Sequence, residues 1–199
     1  MTPPPVPTPS TALGRLTSHW VYGGALAGFL LLLLAPVLLV GFPLPFALVV
    51  LQLPMYMLHQ YEEHDDDRFR AFVNREIGGG RDVLPTGAVF VINIVGVWLL
   101  FAAAIWLSAL AGIGFGLIAI YGVLVNALVH IVAALAMRRY NPGLATSILL
   151  FLPVGGAGLY AVATSAGVGL GFHLLGLALA VAVHLAIAGY VRRNRRHLL

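Results

Sequence analysis

The first glutamates in the sequence follow a histidine at the end of a long apolar run, residues 44–58. Glu62 and Glu63 lie three and four residues after His59. In a helix this spacing places the three side chains on one face. An imidazole and a carboxylate on adjacent turns can hold one metal ion, and a second carboxylate can serve as a base. The pattern predicts His59 and Glu63 as metal ligands and Glu62 as a catalytic base.

Two further histidines lie at the same predicted depth as His59. His59 lies nine residues before the next arginine, and His130 and His184 each lie eight residues before theirs. At about 1.5 Å per residue, each histidine is roughly 12–14 Å from its arginine along the helix. If the three helices run in the same direction, the histidines meet at one level. Three imidazoles with Glu63 would suit a divalent metal, zinc or iron.

Other polar residues near these ligands are candidates for supporting roles. Asn126, four residues before His130, is expected to contact a substrate or orient a ligand, and Asn93 is an amide within an apolar run. A tight turn is predicted at Pro142 and Gly143. It is flanked by two hydroxyl residues, which either support the site or belong to a plain turn, namely Tyr140 and Thr146. We count Tyr140 with Glu62 and Asn126 as candidate catalytic residues.

Composition indicates an all-α membrane protein. Of the 199 residues, 60% are hydrophobic and 9% are charged, whereas soluble domains average about 25% charged residues. The sequence contains no cysteine, which excludes thiolate metal sites and disulfides. The net charge of +4 does not indicate a nucleic-acid partner, because the arginines are distributed as expected for a membrane protein.

Hydropathy predicts a bundle of six transmembrane helices. We expect a disordered proline-rich tail over residues 1–18, a membrane domain over 19–192 and a basic tail over 193–199. The six spans are placed near 20–40, 44–63, 87–110, 114–137, 143–164 and 168–191. All 11 basic residues are arginines, and all fall on one side of this arrangement. The positive-inside rule makes that side, and both termini, cytoplasmic.

The segment 65–82, between the second and third spans, is too long for a simple turn. Its apolar residues recur at helical spacing, at Phe69, Phe72, Val73 and Ile77. This pattern predicts a short interfacial amphipathic helix. The helix either anchors the loop to lipid head groups or acts as a lid for an amphiphile.

Three motifs resemble those of the HXXEE-domain family of small prokaryotic membrane proteins. Residues 59–63 match H-x-x-E-E, and Asn126 with His130 matches N-x-x-x-H. The third motif, Y-x-P-G-x-x-T, is matched by Tyr140, Pro142, Gly143 and Thr146. The resemblance implies a prokaryotic inner-membrane protein suspected to be an enzyme, with no reaction assigned. His184 belongs to none of these motifs, and its predicted role depends on the depth comparison.

Two functions are compatible with these residues. The first is a membrane-embedded metalloenzyme, a hydrolase or an iron oxygenase, acting on a lipid-like substrate at the cytoplasmic leaflet. The alternative is a metal-ion or proton-coupled transporter that uses the same histidines and glutamates. The remaining histidines are expected to have no ligand role: His173 near the outer surface, and His19, His64 and His197 at or beyond the cytoplasmic surface.

Overall fold

The computed structural model describes residues 11–197, which form an all-helical protein without β-strands. The all-α prediction is confirmed. Among the described residues there are six long helices and one short one: α1 (Ala12–Leu38), α2 (Leu44–His64), α3 (Arg68–Glu76), α4 (Thr86–Leu110), α5 (Ile113–Met137), α6 (Leu144–Ala163) and α7 (Leu170–His197). The first ten residues of the expected tail lie outside the described residues.

Five of these helices are long and apolar enough to cross a membrane, namely α1, α4, α5, α6 and α7. They support the prediction of a membrane protein. Helix α2 is not one of the five, because polar side chains lower its hydropathy, one near the middle and the others in the last turns: Gln52, His59, Gln60, Glu62 and Glu63.

The first and last helices extend further than the sequence predicted. Helix α1 begins at Ala12 rather than near residue 20, because the Thr11 hydroxyl accepts a hydrogen bond from the amide of Gly14 at 3.0 Å and caps the helix. Helix α7 continues to His197 rather than ending near residue 191. Its last turn carries basic residues, which interact favourably with the negative end of the helix dipole.

Contacts at one end of the bundle join segments that are distant in sequence. They include the rings of Tyr22 and Tyr61 at 6.3 Å, the ion pair of Arg139 with Glu76, and the Asn194 side-chain amide donating to the Val83 carbonyl at 3.0 Å. The start of α1 and the ends of α2, α5 and α7 therefore meet at the same end. Successive long helices run antiparallel, and the arginines concentrate at this end.

Helix α2 lies at the centre and packs against α1, α4, α5 and α6. Glycines allow close contact between neighbouring helices. A Cβ atom on Gly28 of α1 would lie 2.8 Å from the Pro54 carbonyl oxygen of α2. Likewise, one on Gly176 of α7 would lie 2.7 Å from the Leu117 carbonyl oxygen of α5. This packing buries the polar half of α2 inside the protein.

Candidate metal centre

The structure brings three of the four predicted ligands together. Glu63 lies between two histidines, with Oε1 at 3.0 Å from His130 Nε2 and Oε2 at 3.4 Å from His59 Nε2. One ligand atom from each residue lies within 4.8 Å of the others. All three side chains are buried, with exposed fractions of 0% for His59, 4% for His130 and 5% for Glu63. Helix α2 supplies two ligands on adjacent turns and α5 supplies the third.

Glu62 sets the tautomer of His59 through the hydroxyl of Thr146. The Thr146 hydroxyl donates its single proton to Glu62 Oε2 at 2.5 Å. It therefore accepts the 2.7 Å hydrogen bond from His59 Nδ1. With its proton on Nδ1, a neutral His59 carries a lone pair on Nε2, which is buried without a hydrogen-bond partner. The lone pair is thus available to a cation beside Glu63.

Asn141 sets the tautomer of His130 in the same way. Its side-chain nitrogen donates to the His130 carbonyl at 2.9 Å, which leaves its oxygen as the acceptor of a 2.6 Å bond from His130 Nδ1. The Nε2 atom of neutral His130 therefore also presents a lone pair to Glu63. Hydrogen bonds that fix the tautomer of a ligating histidine are typical of protein metal sites.

The turn before α6 packs directly against the three ligands. The Leu144 amide donates to the Asn141 carbonyl at 3.1 Å, and Gly143 has a φ of +99°. This is the geometry of a type II turn, which favours proline and then glycine at its central positions, here Pro142 and Gly143. A Cβ atom on Gly143 would lie 2.6 Å from His130 Cε1 and 2.9 Å from Glu63 Cγ and from His59 Cε1. Only glycine fits this position.

The surroundings of Glu62 differ from those expected of a catalytic base. Its Oε1 accepts from the Tyr140 hydroxyl at 2.5 Å and from the Ala145 amide at 3.0 Å. Its Oε2 accepts from the Thr146 amide at 2.7 Å and from the Thr146 hydroxyl. Both oxygens are engaged by donors of the turn, so Glu62 positions Thr146 and, through it, His59. Partial burial and the bond to Glu62 raise the pKa of Tyr140 to about 12, which keeps this phenol a donor.

A second buried network lies on the other side of Glu63. Trp98 Nε1 donates to Gln60 Oε1 at 2.6 Å, and Gln60 Nε2 donates to Asn93 Oδ1 at 2.7 Å. Asn93 Nδ2 lies 3.3 Å from His64 Nε2. The same His64 Nε2 atom lies 3.6 Å from Glu63 Oε2. Because an indole nitrogen only donates, Gln60 must turn its oxygen to Trp98 and its nitrogen to Asn93, and Asn93 in turn directs its nitrogen to His64. Asn93 supports the site through His64.

His64 is buried within the protein, with an exposed fraction of 8%, and it contacts the site through Glu63. Trp20 from α1 and Phe69 from α3 cover its ring, with centroids at 5.3 and 5.6 Å. The sequence could not indicate this, because the aromatic residues come from segments far from α2. Gln60, Trp98 and Asn141 were also missed. Gln60 lies inside the His59–Glu63 motif and Asn141 inside the predicted turn, so their positions were the available signal, whereas Trp98 lies in an apolar run that gives none.

His184 does not join the three ligands in the described part of the chain. Its Nδ1 lies 2.8 Å from the Ala180 carbonyl of its own helix. Equal depth along parallel helices was an insufficient criterion, because it does not specify how far apart the helices lie or which way each side chain points. His173 pairs with the Tyr121 hydroxyl at 2.9 Å, also outside the group.

A cavity of about 800 Å³ borders the metal centre. Glu63, His130 and Asn126 line it, together with His184 and apolar side chains from α3, α4, α5 and α7. Asn126 Oδ1 is buried without a hydrogen-bond partner. The size lies within the roughly 300–1,000 Å³ of small-molecule sites. The centre is therefore accessible to a largely apolar ligand.

Comparison with curated proteins and with solved structures gave no significant match. A family model described as a protein of unknown function with HXXEE motif matches residues 50–158. The matched region includes His59, Glu63, His130 and the turn at Gly143, whereas His184 lies outside it. The match covers more than half of the chain, and the chain belongs to the HXXEE-motif family.

Proposed function

We propose that the protein is a membrane-embedded metalloenzyme whose metal ion is held by His59, Glu63 and His130. One observation supports this most directly: the hydrogen bonds of Thr146 and Asn141 turn both Nε2 atoms towards the Glu63 carboxylate, where each neutral imidazole presents a lone pair. Three acceptor groups converging in a buried site are favourable when a cation lies among them. A bound zinc or iron(II) ion would polarise a substrate oxygen or activate water or dioxygen.

The residues of the chain supply binding and orientation. Glu62, Thr146 and Asn141 hold the two imidazoles, and Gly143 closes one side of the centre. The cavity borders Glu63 and His130, so a substrate in it would lie beside two of the ligands. Its largely apolar wall favours a lipid-like or amphiphilic substrate that enters from the cytoplasmic leaflet. A hydrolase and an iron oxygenase both fit this arrangement, and metal identity separates them.

Metal content tests the proposal. Wild-type protein purified after growth with added zinc or iron should contain a stoichiometric transition metal by elemental analysis. His130→Ala and Glu63→Gln should lose it, whereas His173→Ala, outside the group, should retain it. Protein that remains metal-free after incubation with either ion would overturn the proposal. Metal uptake into liposomes that depends on Glu63 would favour a transporter instead.

We also propose that α2 is a sixth membrane span and that α3 lies at the cytoplasmic interface. Helix α2 runs antiparallel to α1 within the bundle, and α3 buries Phe72 and Val73 while exposing its arginines to varying extents. The chain has no native cysteine, so single cysteines report topology directly. An impermeant maleimide should label Val40→Cys, before α2, from outside intact cells and Arg81→Cys, after α2, only after lysis. Labelling of both from outside would refute this topology.

A further inference from the structure

The cavity extends well beyond the metal centre, towards the arginine-rich end of the bundle. On α7 its lining residues run from Val183 to Arg195. These twelve steps correspond to about 18 Å along the helix. On α5 the lining runs from Asn126, through His130, to Met137. The cavity is therefore elongated, with the metal ligands along its wall rather than at the end that the arginines line.

Two arginines at one end of the cavity have no anionic partner among the residues that the structure describes. Arg192 and Arg195 lie three residues apart, and both line the cavity. Neither makes a side-chain hydrogen bond or an ion pair with any residue in the range 11–197. Four arginines on α3 and after α5 each pair with an acidic residue, namely Arg68, Arg70, Arg75 and Arg139. Arg81 and Arg138 have no such partner among the described residues, but they do not line the cavity. This end of the cavity therefore favours an anion.

A buried polar atom marks the opposite end. Asn126 lies one turn before His130 on α5, away from the arginines, and its exposed fraction is 9%. Its Oδ1 has no hydrogen-bond partner, although an unpaired buried acceptor is costly. Between the two ends the wall is mainly apolar, with Val97, Val129 and Ala133 among its residues. Along its length the cavity wall is therefore cationic at one end, apolar in the middle and hydrogen-bond accepting at the other end.

We propose that the cavity binds a single-chain amphiphile with an anionic head group, a carboxylate or a phosphate monoester. The head group lies against Arg192 and Arg195, and the chain extends past Glu63 and His130 towards Asn126. The alkyl chain of the ligand, rather than its head group, then lies next to the metal centre. This assignment of a substrate class rests on the proposed function, but binding of the amphiphile itself requires no metal.

Binding to full-length protein in nanodiscs of zwitterionic phosphatidylcholine tests the proposal. The probes are palmitic acid and hexadecyl phosphate, compared with hexadecanol, hexadecylamine and inorganic phosphate. Wild type should bind both anionic amphiphiles more tightly than the alcohol or the amine. Replacing Arg192 and Arg195 by glutamine should weaken palmitate binding roughly 30-fold, the effect of two cations beside an anionic head group. Hexadecanol binding should be unchanged.

The matched control is the double variant Arg193→Gln, Arg196→Gln, which removes the same charge from exposed residues that do not line the cavity. It should bind palmitate like wild type. Equal weakening in the two double variants, equal affinity for palmitate and hexadecanol, or binding of inorganic phosphate as tight as hexadecyl phosphate would each overturn the proposal. Metal content is measured on the same samples. Metal without anion preference refutes only this inference, and anion preference without metal refutes only the metalloenzyme.

Discussion

Replacing Gly143 by alanine tests whether the turn shapes the metal centre. The added Cβ atom would approach His130 Cε1 to 2.6 Å and both Glu63 Cγ and His59 Cε1 to 2.9 Å. Carbon atoms at optimal contact lie about 3.5–4.0 Å apart. The three side chains cannot all remain in place, because hydrogen bonds at Nδ1 hold both imidazoles and prevent them from moving away from the added atom.

Two costs add in this variant. Alanine at a φ of +99° costs about 1–2 kcal/mol in backbone strain. Overpacking a well-packed site costs a further 1–3 kcal/mol or so, at about the scale of adding a methylene to a core. The overlap is relieved when the His59, Glu63 and His130 side chains move apart. The second cost therefore lowers the affinity for the metal. It corresponds to a roughly 5- to 150-fold loss of zinc affinity.

Zinc affinity is measured by competition with a chelator, alongside thermal unfolding of the metal-free protein. Gly167→Ala is the matched control, since Gly167 has a φ of +80° and no atom within 4 Å of the added Cβ. It should be destabilised by strain alone and should bind zinc like wild type. Equal zinc affinity in Gly143→Ala and Gly167→Ala would refute the reasoning.

Three further outcomes are expected. Thr146→Val removes the hydroxyl that orients His59, so zinc affinity should fall roughly 10- to 100-fold, and Thr146→Ser should restore it. Ion pairs with Arg139 and, to a smaller extent, Arg75 lower the pKa of Glu76. The stability that these ion pairs give to α3 is complete above the usual glutamate pKa and is lost as the pH falls through the lowered pKa. The protection factors of the α3 amides, which account for the slower intrinsic exchange at acid pH, should therefore fall as the pH is lowered, but not in Glu76→Gln. The ultraviolet titration of wild type minus Tyr140→Phe should show a phenol ionising near pH 12 instead of 10.

Local spacing was sufficient for part of the metal centre. His59 and Glu63 are four residues apart in one helix, and any helix with this spacing places them on one face. The turn at Pro142 and Gly143 was also predictable, because few residues other than proline and glycine suit its backbone angles. His130 was found by its depth, which happens to coincide with its true position next to Glu63.

The same depth comparison selected His184, which the structure keeps apart from the other ligands. The sequence likewise suggested Glu62 as a base, whereas the turn of α6 engages both of its oxygens. His64 was expected to have no role at the site, but it lies beside Glu63, covered by α1 and α3. In each case the outcome depends on a segment far away in sequence, which no local periodicity describes.

The sequence by itself determined that the chain is helical, that it belongs in a membrane and that a histidine and two glutamates share one helix face. These properties follow from composition and from the period of a helix, which are local. Tertiary structure alone decided which histidines meet Glu63, which nitrogen of each imidazole faces it, and where a cavity lies. These properties depend on distances between helices and on hydrogen bonds across them, such as Asn141 to His130 and Thr146 to His59.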